Sequence, residues 1–319
     1  MGEKSKEIGE KGEKLVNELL TVIGWSGLQN NESIPCLTPE EHMSKNAQKP
    51  RSTHGIDIFF SDKSNLEDFT LENVVVSVKY TSKPYPSAPS SIFKEHLKDL
   101  AQTIECFMKS NLRAENNEDF EMTGIRKAND TGVLFWLSNH KDSDQDVISK
   151  IANINLDKSL NFSTIHVVDN SRASFIYSSI KFIQDSFKEY DYFFHYAFSS
   201  ANYTDPNIQK FGNVLPVEYL SSNLLPFRLI DKSTGKISFC VVCRDEFSEE
   251  AIKRLIHLAS DVSQDFTGEF FFLFPDYDPL LHEKILQQAQ RVTNKTHSME
   301  QRTITVKSYK EDFRGLINE

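Results

Sequence analysis

Apolar residues return along this chain at two different periods. In KGEKLVNELLTVIGW (11–25), Leu15, Val16, Leu19, Leu20 and Ile23 fall three and four apart, the spacing of a helix with one buried face, and Gly24 marks its end. A loop of polar residues and prolines follows, to about residue 54. GIDIFF (55–60) and NVVVSVKY (73–80) are apolar runs of strand length joined by a polar turn. The proline-rich KPYPSAPSS (83–91) leads into IFKEHLKDLAQTIECFM (92–108), where Phe93, Leu97, Leu100, Ile104 and Phe107 form the apolar stripe of an amphipathic helix. Strands are expected at GVLFWLS (132–138), STIHVVD (163–169) and YDYFFHYAF (190–198), with helices near 143–152 and 172–188.

The pattern restarts after SSANYTDPNIQ (199–209), a polar stretch that reads as a boundary. VLPVEYL (214–220), PFRLI (226–230), KISFCVVC (236–243), GEFFFLFP (268–275) and TITVKSY (303–309) look like strands, and EEAIKRLIHLASDV (249–262) and DPLLHEKILQQAQRV (278–292) like helices. Strands alternating with helices predict an α/β protein with a largely parallel sheet. Two domains are expected, residues 1–205 and a smaller α/β domain over 206–319. Cys240 and Cys243 form a CxxC, but they lie in an apolar strand where residues three apart face opposite sides, so core packing is expected rather than zinc.

Composition excludes several classes. The 319 residues are 39% hydrophobic and 26% charged, an ordinary globular balance, and no stretch approaches the apolar length needed to span a bilayer. The charged start, MGEKSKEIGEKGEK, lacks the apolar core of an export signal, and there are only four cysteines. A cytoplasmic protein with no membrane association is therefore expected. The net charge of −10 argues against extensive nonspecific binding to nucleic acid. A local exception is SKNAQKPRSTHG (44–55), where Lys45, Lys49, Arg51 and His54 occur with no acid among them. There is no glycine loop of the kind that cradles nucleotide phosphates.

One lysine changes the picture. In NVVVSVKY, alternation puts Val74, Val76 and Val78 on one face and Val75, Ser77 and Lys79 on the other. A lysine at the end of a valine run is costly unless a carboxylate compensates it. Asp57, between Ile56 and Ile58 on the preceding strand, is the obvious partner. A carboxylate and an ammonium on adjacent strands suit metal-assisted phosphodiester cleavage, in which the acid binds a divalent ion and the lysine stabilises charge or orients water.

With these residues the sequence resembles the PD-(D/E)XK, or restriction-endonuclease-like, nuclease superfamily. The segments that carry the resemblance are GEKLVNELLTVIGW, HGIDIFF and VVVSVKY, over roughly the first 110 residues. The resemblance implies a mixed-sheet core flanked by helices, Glu13 as the helix acid, Asp57 as the central metal ligand and Lys79 as the catalytic lysine. It also implies Mg²⁺ or Mn²⁺ as cofactor, DNA as substrate and a setting in bacterial defence or restriction. The sequence departs from the pattern at Ser77, where a third acid should stand; a hydroxyl is a poor ligand for a hard cation. Some members with a Ser-x-Lys motif carry the displaced glutamate on the following helix, which here points to Glu95 as a metal ligand. Glu95 falls nearly opposite the apolar stripe of its helix, so a solvated surface acid is the competing reading. Lys45, Lys49, Arg51, His54 and Ser77 are expected to face the nucleic acid. The acidic net charge suits a protein that works with a partner subunit or by self-association. The alternative is a nuclease fold that has lost catalysis and binds nucleic acid or a partner nuclease.

Overall fold

A computed structural model describes residues 2–43, 50–121, 123–141, 146–204, 209–263, 267–296 and 302–309. The chain divides into two compact units between Ala173 and Ser174. This division falls inside helix α4 (Asn170–Ser186), well before the 199–209 boundary expected from sequence.

The first unit is a five-stranded sheet in the order β1 (Gln29–Pro35), β2 (Thr53–Lys63), β3 (Thr70–Thr81), β4 (Lys127–Ser138) and β5 (Thr164–Val168). Strand β2 pairs antiparallel with both β1 and β3, while β3, β4 and β5 pair in parallel. Helix α1 (Gly2–Val22) packs on β3, and α2 (Ser90–Phe107) on β4. Val75, Leu134 and Trp136 from the sheet join Phe93, Leu97, Leu100, Ile104 and Phe107 of α2 in one buried cluster, so the stripe read from sequence is the face that meets the sheet. Trp25, just past α1, stacks on Phe60 of β2 with ring centroids 4.3 Å apart. Gly24, at φ 85°, and a 3.0 Å bond from the Trp25 N–H to the Leu20 carbonyl close α1 in the left-handed turn that favours glycine.

Two elements of this unit were not apparent in the apolar pattern. Strand β1 (QNNESIP) lies at the sheet edge with only Ile34 buried, so it carries no alternation to detect. Helix α3 (Asn111–Glu121) buries no residue. Polar bonds hold it instead: Arg113 Nε lies 2.8 Å from Asp130, and Asn116 and Asn117 bond Ser61 and Asn73 at 2.9 and 3.0 Å. The helix expected near 143–152 is a run of turns over 147–153, with 142–145 outside the described residues.

The second unit is a six-stranded sheet in the order β11 (Thr303–Ser308), β10 (Glu269–Phe274), β9 (Ile237–Cys243), β8 (Leu224–Asp231), β6 (Tyr190–His195) and β7 (Phe211–Gly212). Helices α5 (Glu249–Ser263) and α6 (Pro279–Thr296) accompany it, and Phe239, Val241, Ile252, Leu255, Phe270 and Phe272 centre its core. Strand β6 pairs antiparallel with β8, Phe194 opposite Phe227, so residues 190–195 belong to this sheet and not to the first domain as a 1–205 boundary would require. VLPVEYL is not a strand; Pro216 starts a 3-10 turn over Val217–Ser221. Cys240 and Cys243 are buried free thiols on β9, and burial raises the Cys243 thiol to about 11, as core packing requires. Among the described residues no helix is long and apolar enough to cross a membrane.

Candidate active site

The site forms where β2 and β3 part. Their ladder runs from Lys63↔Leu71 to Ile58↔Val76 and then stops. Asp57, half-buried between Ile56 and Ile58, lies just past the end of this ladder, while β2 keeps its pairing with β1 on both sides of it. The backbone donor that the parted strand no longer meets is taken up by the side chain. The Val78 N–H donates to Asp57 Oδ2 at 2.6 Å, and the Ser77 hydroxyl lies 3.4 Å from the same oxygen, a long and weak bond. Ser77 therefore leans on Asp57, and supplies no charge.

Glu13 reaches this region from α1. Its backbone neighbour Gly12 explains how: a Cβ there would stand 2.3 Å from Tyr80 Cβ, so only glycine lets α1 cross β3 at this depth. The Glu13 carboxyl is pushed above its ordinary range, first by burial and then by the charges of Asp57 and Glu10. A carboxyl raised by burial and by a neighbouring carboxylate marks a place where a cation would relieve the repulsion.

Lys79 sits on the half-buried end of β3, its side chain 27% exposed, and is less deeply buried than its valine-rich context suggests. Its Nζ donates to Asp99 Oδ2 at 3.0 Å, and Arg51 Nη1 donates to Asp99 Oδ1 at 2.7 Å. Burial alone would raise the Asp99 carboxyl, but the Lys79 and Arg51 charges outweigh it and hold it at about 2. The lysine's compensating carboxylate is thus Asp99 on α2, not Asp57 on β2.

Several expected residues take other places. Glu95 is exposed on α2 and lines a groove with Ser91, Lys94, Lys98 and Asp157. The acid on α2 that meets Lys79 is one turn further on. The signal that marks Asp99 is the row His96, Asp99 and Thr103, polar residues at helical spacing beside the apolar stripe. Residues Gln102, Thr103 and Cys106 are buried although they lie off that stripe, because the chain between β1 and β2 covers this part of α2. Glu95 lies on the turn before this cover, and helical periodicity alone does not separate the two acids. His54 is fully buried, its Nδ1 3.3 Å from the Thr103 hydroxyl, and is not a surface contact for a phosphate. Burial first, then the Arg51 and His42 charges, lower it to about 4, so it is neutral. Arg51 keeps its guanidinium at the site through Asp99, while Lys45 and Lys49 lie outside the described residues.

Compared with known proteins, residues 1–172 match the family described as the GAPS4 protein PD-(D/E)XK nuclease domain, and the match ends where the first structural unit does. No curated protein and no solved structure gives a match. The match covers more than half of the 319 residues and includes Glu13, Asp57, Lys79 and Asp99. The chain belongs to the GAPS4 PD-(D/E)XK nuclease domain family, and so to the PD-(D/E)XK nuclease superfamily.

Proposed function

We propose that this chain is a divalent-cation-dependent nuclease that cuts DNA as part of bacterial defence, with Asp57 and Glu13 holding the cation and Lys79 acting on the scissile phosphate. The observation that carries this reading is the Glu13 carboxyl, raised by burial and by the charge of Asp57, together with an ammonium held in place by a separate acid. Two carboxylates fit a hard oxygen-seeking ion such as Mg²⁺ or Mn²⁺, which when bound supplies Lewis-acid activation of water and neutralises phosphate charge. Asp57 is oriented by the Val78 N–H, so its second oxygen is fixed in direction. Asp99 positions Lys79 and Arg51 together as a pair of donors suited to a phosphate. Ser77 stabilises Asp57 in this scheme and is not a ligand.

The test is cleavage of plasmid, single-stranded DNA and RNA by the purified chain with Mg²⁺, Mn²⁺ or chelator, alone and with the products of neighbouring genes. Asp57→Asn, which keeps an acceptor for Val78, and Lys79→Ala should each abolish cutting, while Ser77→Ala and Glu95→Ala should cut like the parent. Asp99→Asn should lower the rate by about ten- to a hundredfold, the range typical of a lost orienting partner. The seryl contact to Asp57 supports a second reading, a fold that binds nucleic acid or a partner nuclease without cutting. Binding that persists with every cation and partner while no substrate is cleaved would establish it. The net charge of −10 supports a protein partner or a second copy in holding the polyanion.

A further inference from the structure

A second constellation gathers around His54. Cys36 follows β1, His42 lies further along the same connection, His54 is on β2 and Cys106 is in the last turn of α2. All four are buried, at 8%, 3%, 0% and 1% exposure. Their Sγ and ring nitrogen atoms all lie within 4.8 Å of one another.

The hydrogen-bond partners decide which atoms face inward. The Thr103 hydroxyl donates to the Asp99 carbonyl at 2.8 Å, so toward His54 Nδ1, at 3.3 Å, it accepts. His54 Nδ1 therefore carries the proton and Nε2 a lone pair. His42 Nε2 lies 3.4 Å from a Glu105 carboxylate oxygen, which only accepts, so His42 presents its Nδ1 lone pair. The Thr38 hydroxyl, 3.3 and 3.2 Å from Nδ1 and Nε2 of His42, favours neither nitrogen. His42 Nδ1 and His54 Nε2 then face one another at 3.2 Å, lone pair against lone pair. Cys36 Sγ and Cys106 Sγ stand 3.4 and 3.6 Å from the same His42 Nδ1.

We propose that Cys36, His42, His54 and Cys106 form a closed tetrahedral site for Zn²⁺. Zinc bonds of about 2.0–2.1 Å to nitrogen and about 2.3 Å to sulfur give tetrahedral edges of about 3.3 Å between nitrogens and about 3.6 Å between nitrogen and sulfur. The three separations from His42 Nδ1 are 3.2 Å to His54 Nε2, 3.4 Å to Cys36 Sγ and 3.6 Å to Cys106 Sγ, and all four ligand atoms lie within 4.8 Å of one another. The two imidazole planes cross at 86°, which leaves room for both rings on one ion. Two thiolates balance the charge of Zn²⁺, so the filled site is neutral and suits burial. Thiolate with imidazole selects zinc over the hard cations expected at Asp57. Glu105 and Thr103 are the outer partners that fix ring orientation at such sites.

With four protein ligands the site leaves no position for substrate and is structural. Its effect is on the nuclease residues nonetheless. It fastens the β1–β2 connection, which carries Arg51, to the helix that carries Asp99, and anchors β2 three residues before Asp57.

The test starts from the full chain, produced without a metal-affinity tag, desalted and analysed for zinc and for accessible thiols. Roughly one zinc per chain is expected, retained after brief EDTA treatment and released by a thiol-blocking mercurial. Chain produced in cobalt-supplemented medium should show the intense visible bands of tetrahedral Co²⁺ and sulfur-to-metal charge transfer in the near ultraviolet, with no substitution needed. The double variant Cys36→Ser/Cys106→Ser should lose the zinc and fall by at least ~10 °C in Tm, whereas Asp57→Asn should keep the zinc. The proposal is overturned if the parent chain holds neither zinc nor thiolate-bound cobalt. Zinc that stays with the double cysteine variant but leaves with Asp57→Asn would also overturn it, as would a Cys36–Cys106 disulfide in the unreduced protein. None of these outcomes depends on whether the chain cuts DNA.

Discussion

At the scale of residues, Asp99 organises the positive charge of the site. Its carboxyl is held at about 2 against an ordinary 3.8, so its ionised form is favoured in the folded protein. A depressed carboxyl contributes stability that is fully present above the ordinary value and is lost as pH falls through the folded one. The window is therefore from about pH 4 down to about pH 2, and the contribution is about 2 kcal/mol. Urea unfolding of the parent and of Asp99→Asn should differ by about this amount at neutral pH and converge toward pH 2. A constant gap at both pH values would show that the ion pairs do not carry it. The elements that carry Glu13, Asp57 and Lys79 were legible in the sequence, because α1, β2 and β3 each have a clear apolar pattern. Asp99 was not, because its pairing with Arg51 crosses from a helix to a polar loop, and polar loops leave no periodic trace. The cysteines at 36 and 106 were illegible for the same reason: one lies in a polar connection and the other 70 positions on in α2, without a short motif.

At the scale of elements, α1 and α2 each have two tasks. Helix α1 buries Leu15, Val16, Leu19, Leu20 and Ile23, and its spacing made it plain in the sequence. Its crossing point at Gly12 was not plain, since an isolated glycine in a helix reads as a small loss of propensity. Gly12→Ala places a methyl 2.3 Å from Tyr80 Cβ, and neither backbone can yield without moving Glu13. The variant should lose about 1–3 kcal/mol of stability, the usual cost of overpacking, and should lose cleavage more than stability accounts for. Thermal unfolding and single-turnover rates on the same preparation separate the two effects. Helix α2 meets the sheet with its apolar stripe, the β1–β2 connection with Asp99 and Cys106, and His54 of β2 with Thr103. A helix in contact on two sides hides its second contact from any argument based on a single apolar face. Helix α3, which binds through Arg113, Asn116 and Asn117, is the extreme case.

At the scale of the molecule, the α/β class and the two sheets were legible, and the division between them was not. A polar stretch at 199–209 looks like a linker, but strand pairing overrides composition: β6 bonds to β8 across it. A chain ended after Thr204 keeps β6 without its partner and exposes the buried Phe194. It should aggregate more than a chain ended after Ala173, because an orphan apolar strand is a template for pairing with another copy. Size-exclusion chromatography of the two truncations checks this. If the longer one is the better-behaved monomer, residues 174–204 contribute to the first unit after all.

The short bond between Asp57 and the Val78 N–H turns one backbone amide into a built-in reporter. An amide whose nitrogen lies 2.6 Å from a carboxylate oxygen has a strongly deshielded proton, so the Val78 amide should resonate far downfield of its neighbours on β3. Asp57→Asn, with a neutral acceptor, should move that resonance upfield and speed its exchange with solvent. Adding Mg²⁺ to the parent should shift the same peak as electron density on the carboxylate is drawn toward the ion. Occupancy of the site could then be followed in solution without a substrate and without waiting for any bond to break.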